Sequence, residues 1–281
     1  MERPAYLSEH WFRTGVGLAI RGPIPPHVQA GSALQSSNPW ERIVHVFWRA
    51  QAGDFRHADT LLDVVDDAAD WHLRDCAIRV FGLTAPSSVL LKLAAIFDDP
   101  DSNARSEGYS VAVLTGDLRL ATALAGRRGR VESWQERESV EGAISNMLEP
   151  WIDDLELFES KLDNESYQRR VHQIVASFED RYGKGTFIHR SEPLDARKLL
   201  STITSLASEE DEEQLFLNHG PIAELLEMLE GMTGISCAGC LDHPIRIELA
   251  RVLRALETVK ASGVLDRLEP GHRYFFGHRI P

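Results

Sequence analysis

The sequence contains 281 residues, of which 43% are hydrophobic and 26% charged, a composition typical of a folded protein with a large core. Lys and Arg total 30 against 43 Asp and Glu, and the formal net charge of −13 disfavours nucleic acid and anionic membranes as partners. There is no apolar run of about 18 residues and no signal-peptide pattern at the start, and three cysteines do not make a disulfide framework. We therefore expect a cytoplasmic protein.

The first part of the chain has a sequence repeat with a period of about 32 residues, and we call the equivalent positions of the repeats its register. Five arginines follow one another at intervals of 32, 31, 32 and 32 residues: Arg42, Arg74, Arg105, Arg137 and Arg169. Four residues before these arginines stand, in order, Asn38, Asp70, Asp101, Ser133 and Glu165. All but the last are residue types that cap helix N-termini well. The register therefore predicts five capped helices.

Apolar segments of helical period lie between the capped helices, each introduced by a Gly or Pro breaker, at 58–65, 89–97, 118–124 and 151–162. Two short helices cannot bury their apolar faces alone, whereas stacked pairs can. We predict an all-α protein, an α-solenoid of short helical-hairpin repeats. The signatures of tetratricopeptide and ankyrin repeats are absent, and the unit resembles HEAT-like repeats. That resemblance implies that the five arginines form a ladder with acidic residues of neighbouring repeats.

The register breaks after residue 180. We predict HEAT-like repeats over 1–180 and an irregular helical part over 181–281 that continues the solenoid. Helical patterns resume at 194–207, 214–217, 221–232 and 244–260. The acidic run at 209–213 is either a loop or the first turn of a helix. The aromatic tail at 273–276 is expected to fold back, because three adjacent aromatic rings are costly to leave in water.

Two of the three cysteines form a Cys-x-x-Cys motif, Cys237 and Cys240, with His243 following. A zinc site needs a second ligand pair, and a thioredoxin-like site needs a βαβ context; the sequence offers neither. The alternative is another capped helix, whose register positions are taken by Asp242, Pro244, Arg246 and Val252. We favour this structural interpretation, and whether the cysteines can bridge on oxidation stays open.

No motif for hydrolysis, nucleotide binding or zinc-dependent proteolysis is present. We therefore predict no catalytic, cofactor-binding or metal-binding residues, no cofactor, and a protein that is not an enzyme. The basic stretch at 126–130, Gly-Arg-Arg-Gly-Arg, is interpreted as a mobile turn between paired helices.

Two acidic clusters stand one repeat apart, near the same turn between helices. Stacking would align them into one negative edge. With the tryptophan that follows the first cluster, the predicted partner-binding residues are Asp63, Asp66, Asp67, Asp70, Trp71, Asp98, Asp99 and Asp101. Trp40, Trp71 and Trp134 recur at the starts of capped helices, where they either pack between repeats or line a binding groove.

The Trp-x-x-Arg elements at 71–74 and 134–137, shortened at 40–42, resemble those of HEAT-like repeat immunity proteins of bacterial polymorphic toxin systems, the Imm47-type family in particular. This resemblance implies a protein that binds and neutralises a cognate toxin, and the acidic charge suits a basic toxin domain. Two alternatives remain: a HEAT-like solenoid enzyme such as a bilin lyase, and a general adaptor in a larger assembly.

Overall fold

The computed structural model describes residue 4 and residues 23–67, 70–150, 162–209, 218–243 and 246–281, with the backbone alone for 67, 241–243 and 246. The described chain is mostly helical with little sheet, which confirms the predicted all-α class. The predicted helical segment at 214–217, the segment at 151–162 except its last residue, and most of the acidic run at 209–213 lie outside the described residues. No helix in the described ranges is long and apolar enough to cross a membrane.

The helices are α1 (Pro26–Gln29), α2 (Pro39–Gln51), α3 (Thr60–Asp67), α4 (Trp71–Thr84), α5 (Ser87–Leu90), α6 (Ser102–Thr115), α7 (Leu118–Arg128), α8 (Trp134–Leu148), α9 (Asn164–Tyr182), α10 (Ala196–Ala207), α11 (His219–Thr233) and α12 (Leu249–Ala261). Turns of 3-10 helix span Gly31–Gln35, Leu91–Asp98 and Val264–Arg267. The helix predicted over 89–97 is therefore split between α5 and a 3-10 segment.

Three antiparallel pairs of very short strands complete the secondary structure: β1 (Ile188–His189) with β2 (Glu192–Pro193), β3 (Leu241–His243) with β4 (Arg246–Ile247), and β5 (Tyr274–Phe275) with β6 (His278–Arg279). The sequence showed no hairpin signal at these places. Strands of two or three residues are too short to produce the alternation of polar and apolar residues by which a strand is recognised.

Four of the five predicted helix starts are confirmed. Helices α2, α4, α6 and α8 begin directly after residues whose side chains accept a backbone N–H of the first turn: Asn38, Asp70, Asp101 and Ser133. The fifth start is wrong, because α9 is capped by Asp163, which accepts the N–H of Ser166, and Glu165 lies in the first turn. The short side chain of Asp places its carboxylate beside the free N–H groups of the first turn, and Asp is therefore a better N-cap residue than Glu.

Contacts divide the described chain into two compact units. Unit 1 holds the described residues up to His57 together with Asp195–Pro270 and Tyr274–Ile280, and unit 2 holds Ala58–Leu194, Gly271–Arg273 and Pro281. This grouping differs from the predicted division after residue 180, since α2 groups with the C-terminal helices.

Unit 2 is a stack of helices in which α3 packs on α4, α4 on α6, and α6 on α8, while α7 packs on α8 and α9. Two glycines inside helices permit the closest approaches. A Cβ at Gly82 in α4 would overlap the side chain of Val111 in α6. A Cβ at Gly108 would stand 3.1 Å from the Ile96 Cγ2 atom. At both positions a larger residue would press on a side chain of the neighbouring element.

Unit 1 places α10 against α11 and α12, and α11 against β5. The Phe275 ring is fully buried and lies edge-on to Phe47, with ring centroids 5.5 Å apart. The backbone N–H of Phe276 donates to the carbonyl of Gly231 at 2.8 Å. The aromatic tail therefore folds back onto unit 1, as predicted from its composition.

The predicted helix over 244–260 is wrong at its start, because α12 begins at Leu249, and Leu241–His243 pairs with Arg246–Ile247 as strands β3 and β4. Asp242 is therefore not a helix cap, and Arg246 is not a register arginine. Isoleucines alternate at 245 and 247, and β-branched residues at alternate positions favour a strand. Val252 is fully buried, so this position belongs to the core as predicted.

Candidate functional site

The N-terminal ends of α4 and α6 are joined by one arginine. Arg74 in α4 donates from Nη2 to Asp99 at 2.6 Å and from Nη1 to Asp101 at 3.0 Å, and its Nε donates to the Val65 carbonyl at 3.0 Å. The guanidinium is mostly buried, with 14% of its side chain exposed. Asp101 also caps α6, accepting the N–H of Asn103. One side chain thus links the end of α3 and the starts of α4 and α6.

The next arginine in the register repeats this arrangement between α6 and α8. Arg105 donates to both carboxylate oxygens of Glu136, at 2.8 and 2.9 Å, and to the Asp99 carbonyl at 2.7 Å. Tyr109 and Arg127 donate to the same carboxylate, at 2.8 and 2.9 Å. These hydrogen bonds, that from Arg105 above all, lower the pKa of Glu136 to about 2. Glu136 is therefore ionised throughout the physiological range.

The ladder does not extend to every arginine of the register. Arg137 donates to the Val131 carbonyl at 3.2 Å, and within the described residues the buried Nε atoms of Arg137 and Arg42 have no hydrogen-bond partner. Arg169 is exposed and pairs with Glu165 of its own helix at 2.7 Å. The ladder prediction is therefore wrong for Arg169, because the fifth helix begins two residues out of register.

Only the last two residues of the basic stretch at 126–130 lie in the turn that the sequence suggested, and its arginines hold helices together. Its first three residues lie in the last turn of α7, where cationic side chains suit the negative end of the helix dipole. Arg127 and Arg130 both pair with Asp98, at 3.1 Å each. Arg128 is buried, donates to Glu141 and Asn164, and stacks over the Tyr167 ring with a centroid distance of 4.1 Å.

The predicted partner-binding acids therefore fall into two groups. The second cluster is engaged in ion pairs within the protein: Asp98 with Arg127 and Arg130, and Asp99 and Asp101 with Arg74. In the first cluster, Asp70 caps α4 by accepting the N–H of His72, and the side chain of Asp67 lies outside the described residues. Asp63 and Asp66 are exposed on α3, and within the described ranges neither carboxylate has an ion-pair partner.

Two tryptophans are exposed at equivalent places in unit 2. Trp71 is the first residue of α4 and Trp134 the first residue of α8, with relative exposures of 49% and 68%. Trp40, which occupies the second helical position of α2, is only 3% exposed. Packing is thus the role of Trp40, whereas the other two face solvent. The sequence showed that Trp71 and Trp134 begin equivalent helices, but it did not show which of the three tryptophans are exposed and which is buried.

The arginine ladder determines how these tryptophans are arranged. Because Arg74 links the starts of α4 and α6, and Arg105 those of α6 and α8, the three N-terminal ends lie side by side. Neighbouring packed helices are about 8–10 Å apart, so α4 and α8 are separated by roughly 20 Å. We call Trp71, Trp134 and the helix starts that carry them the tryptophan edge.

Comparisons with protein-family models, with curated proteins and with solved structures each return nothing. The likeness to immunity proteins therefore stays a prediction that depends on the Trp-x-x-Arg elements alone. Those elements place Trp71 and Arg74, and likewise Trp134 and Arg137, within one turn of helix.

One further titratable group lies beside the ladder. Asp75 in α4 is half-buried, and within the described residues its Oδ1 atom has no hydrogen-bond partner. Burial, reinforced by the carboxylate of Glu107, raises its pKa to about 7. Arg79 makes a two-point ion pair with Glu107, at 2.6 and 3.0 Å, and so does not neutralise Asp75 fully. The described residues include no group of three or more metal-ligating side chains suited to a metal ion.

Proposed function

We propose that this protein is a non-catalytic scaffold that binds a partner protein across the tryptophan edge. Its helical hairpins form an α-solenoid of HEAT-like repeats. The observation that carries this proposal is the exposure of Trp71 and Trp134 at equivalent helix starts. Large aromatic residues on a rigid surface are the side chains that contribute most to protein–protein affinity. The cap register and the Arg74 and Arg105 ion pairs, which tie successive repeats together, support the repeat architecture.

The partner we propose is a basic toxin domain, which the protein neutralises as an immunity protein in the cytoplasm of a bacterium. Support comes from the net charge of −13 and from Asp63 and Asp66, which are exposed on the helix preceding Trp71. Complementary charge speeds association with a basic partner and disfavours wrong partners. The ion-paired acids Asp98, Asp99 and Asp101 contribute less to this attraction, because nearby arginines already neutralise them.

The test replaces both exposed tryptophans with alanine and measures capture of partner proteins from the native host. Leu253→Ala is the matched control, since Leu253 is an exposed apolar residue of α12 with 41% relative exposure. We expect the double variant to bind at least about tenfold more weakly, because tryptophan hot spots contribute about 2 kcal/mol or more. Equal capture by the native chain and the double variant, with helicity intact in both, would contradict the proposal.

A second experiment separates immunity from the other functions. The captured partner is expressed in a bacterial host alone, with the native chain, and with the tryptophan double variant. We expect growth arrest by the partner alone and rescue by the native chain only. A partner without effect on growth would favour a general adaptor. An absorbing chromophore that purifies with the chain in stoichiometric amount would favour the lyase alternative.

A further inference from the structure

The Cys-x-x-Cys segment is a tight turn in unit 1 that brings its two cysteines close together. The backbone N–H of Cys240 donates to the Cys237 carbonyl at 3.0 Å, and Gly239 at the third position has φ of 78°. These are the features of a type II turn, in which a residue with positive φ is required at that position. Such a turn brings its first and last Cα atoms within about 7 Å, the range that a disulfide spans.

The side chains complete this arrangement. The Cys237 thiol donates to the Ile235 carbonyl at 3.8 Å, and both cysteine side chains are buried, with relative exposures of 4% for Cys237 and 2% for Cys240. Both are free thiols, as is Cys76, which is buried in unit 2. The end of the turn is fixed, because the N–H of Glu248 donates to the Cys240 carbonyl at 2.8 Å. The turn thus holds the two cysteines within the Cα separation that a disulfide needs.

The charges around the turn make the two thiols unequal. Arg251 donates to the Gly239 carbonyl at 3.3 Å, and a Cβ at 239 would overlap its guanidinium. The neighbouring Cys237 thiol lowers the pKa of Cys240, and the positive charge of Arg251 acts in the same direction. On the other side, the buried carboxylate of Glu230 accepts the N–H of Cys237 and opposes ionisation of both thiols. Cys240 is therefore the more reactive of the two.

We propose that Cys237 and Cys240 form a reversible dithiol–disulfide site that takes a hydroperoxide as its oxidant. The Cys240 thiolate attacks one peroxide oxygen, the O–O bond breaks, and the second oxygen takes up a proton and leaves, as water from hydrogen peroxide or as the alcohol from an organic hydroperoxide. Cys237 then attacks the resulting sulfenic acid, so that the S–S bond forms and the S–O bond breaks. A water molecule carries away the hydroxyl group and the Cys237 proton. The dithiol loses two electrons to the peroxide, and an external thiol restores it.

The site is independent of the proposed partner binding, and its test uses the full chain. The native protein is treated with hydrogen peroxide, then denatured, alkylated and analysed by intact and peptide mass. We expect a monomer lighter by two hydrogen atoms, with one disulfide between Cys237 and Cys240 and an alkylated Cys76; reductant should reverse the change. The Cys76→Ser variant should behave as the native chain does. Full alkylation of all three cysteines after treatment, or disulfides between molecules only, would overturn the proposal.

The order of attack is tested with a reagent that traps sulfenic acid. In Cys237→Ser, the serine hydroxyl keeps a donor beside Cys240, and we expect peroxide to produce a trapped sulfenic acid at Cys240. In Cys240→Ser, we expect the label at Cys237 to be several-fold weaker. Arg251→Gln should slow disulfide formation while leaving the disulfide able to form. Stronger labelling of Cys237 than of Cys240 would contradict the assignment of Cys240 as the attacking sulfur.

Discussion

Asp75 shows how burial changes a single carboxyl group. Burial and the neighbouring carboxylates of Glu107 and Asp101 favour its protonated form, whereas Arg79 and Arg74 favour the charged form without overcoming them. Its pKa of about 7 lies well above the ordinary value of 3.8. The folded state therefore holds this proton more tightly than the unfolded chain does. It follows that the stability contributed by protonated Asp75 is lost as pH rises towards 7.

We predict that Asp75→Asn stabilises the protein at pH 8 and has little effect near pH 4. Each pKa unit corresponds to about 1.4 kcal/mol, and because the group is only half-buried we expect a gain of about 1 kcal/mol at pH 8. Urea unfolding of the native chain and of Asp75→Asn at the two pH values measures this difference in the free energy of unfolding. Asp266→Asn, at an exposed carboxylate, is the control. A gain of equal size at both pH values would show that Asp75 does not titrate in this range.

The positions of the tryptophans could be predicted from the sequence, but their exposure could not. The sequence shows that they recur at helix starts, and it allows each of them either to pack between repeats or to face solvent. Trp40 is buried in unit 1, whereas Trp71 and Trp134 are exposed in unit 2. The difference arises from what packs over each helix start, and no local pattern encodes that.

At the scale of elements, the helix starts were largely predictable and the connections were not. Capping is a local effect, since Asn38, Asp70, Asp101 and Ser133 each bond an amide in the following turn. The prediction that Asp242 caps a helix was wrong. It used only the spacing between Asp242 and Arg246 and ignored the residues around them. Gly239 and the alternating isoleucines there favour a turn and a strand.

We predict that the ladder arginines differ sharply in their contribution to stability. Arg105→Ala should lower the free energy of unfolding by about 2 kcal/mol, because it removes two charge-assisted hydrogen bonds from a largely buried carboxylate. Arg169→Ala should cost no more than about 0.5 kcal/mol, the value of an exposed pair one turn apart. Chemical denaturation of both variants measures the difference.

A double-mutant cycle with Glu136→Gln identifies the partner of Arg105. We expect the effects of Arg105→Ala and Glu136→Gln to be non-additive, since the two side chains share both hydrogen bonds. Additive effects would mean that Arg105 stabilises the fold through its other contacts, such as the Asp99 carbonyl. Equal losses in the free energy of unfolding for Arg105→Ala and Arg169→Ala would show that the arginine ladder does not stabilise the fold.

At the scale of the whole molecule, the all-α class followed from the sequence and the grouping of its helices did not. The helical period and the caps are repeated locally, so they predict helices. The aromatic tail pairs Phe275 with Phe47 across more than two hundred residues of chain, and such a contact has no sequence period. The division into two units therefore depends on long-range packing, which a sequence repeat does not predict.

Charge is also a property of the whole molecule, and its effect on binding can be tested at two positions. Asp63→Asn with Asp66→Asn should slow association with the captured partner by several-fold at low salt and flatten its salt dependence. Dissociation should change little, because these carboxylates are exposed. Asp266→Asn, again at an exposed carboxylate but in unit 1, is the control. Identical association rates for the double variant and the native chain would contradict the charge argument.

The central claim is that a partner protein binds across the tryptophan edge, and hydrogen exchange of the complex tests it most directly. The first amides of a helix have no backbone partner within the helix, and the cap side chains of Asp70 and Ser133 bond the amides of His72 and Glu136 instead of those of Trp71 and Trp134. The amides of Trp71 and Trp134 therefore exchange quickly unless something covers them. We predict that the bound partner slows exchange at the starts of α4 and α8 and leaves α12 unchanged. Slower exchange in α12, with none at either helix start, would contradict the account.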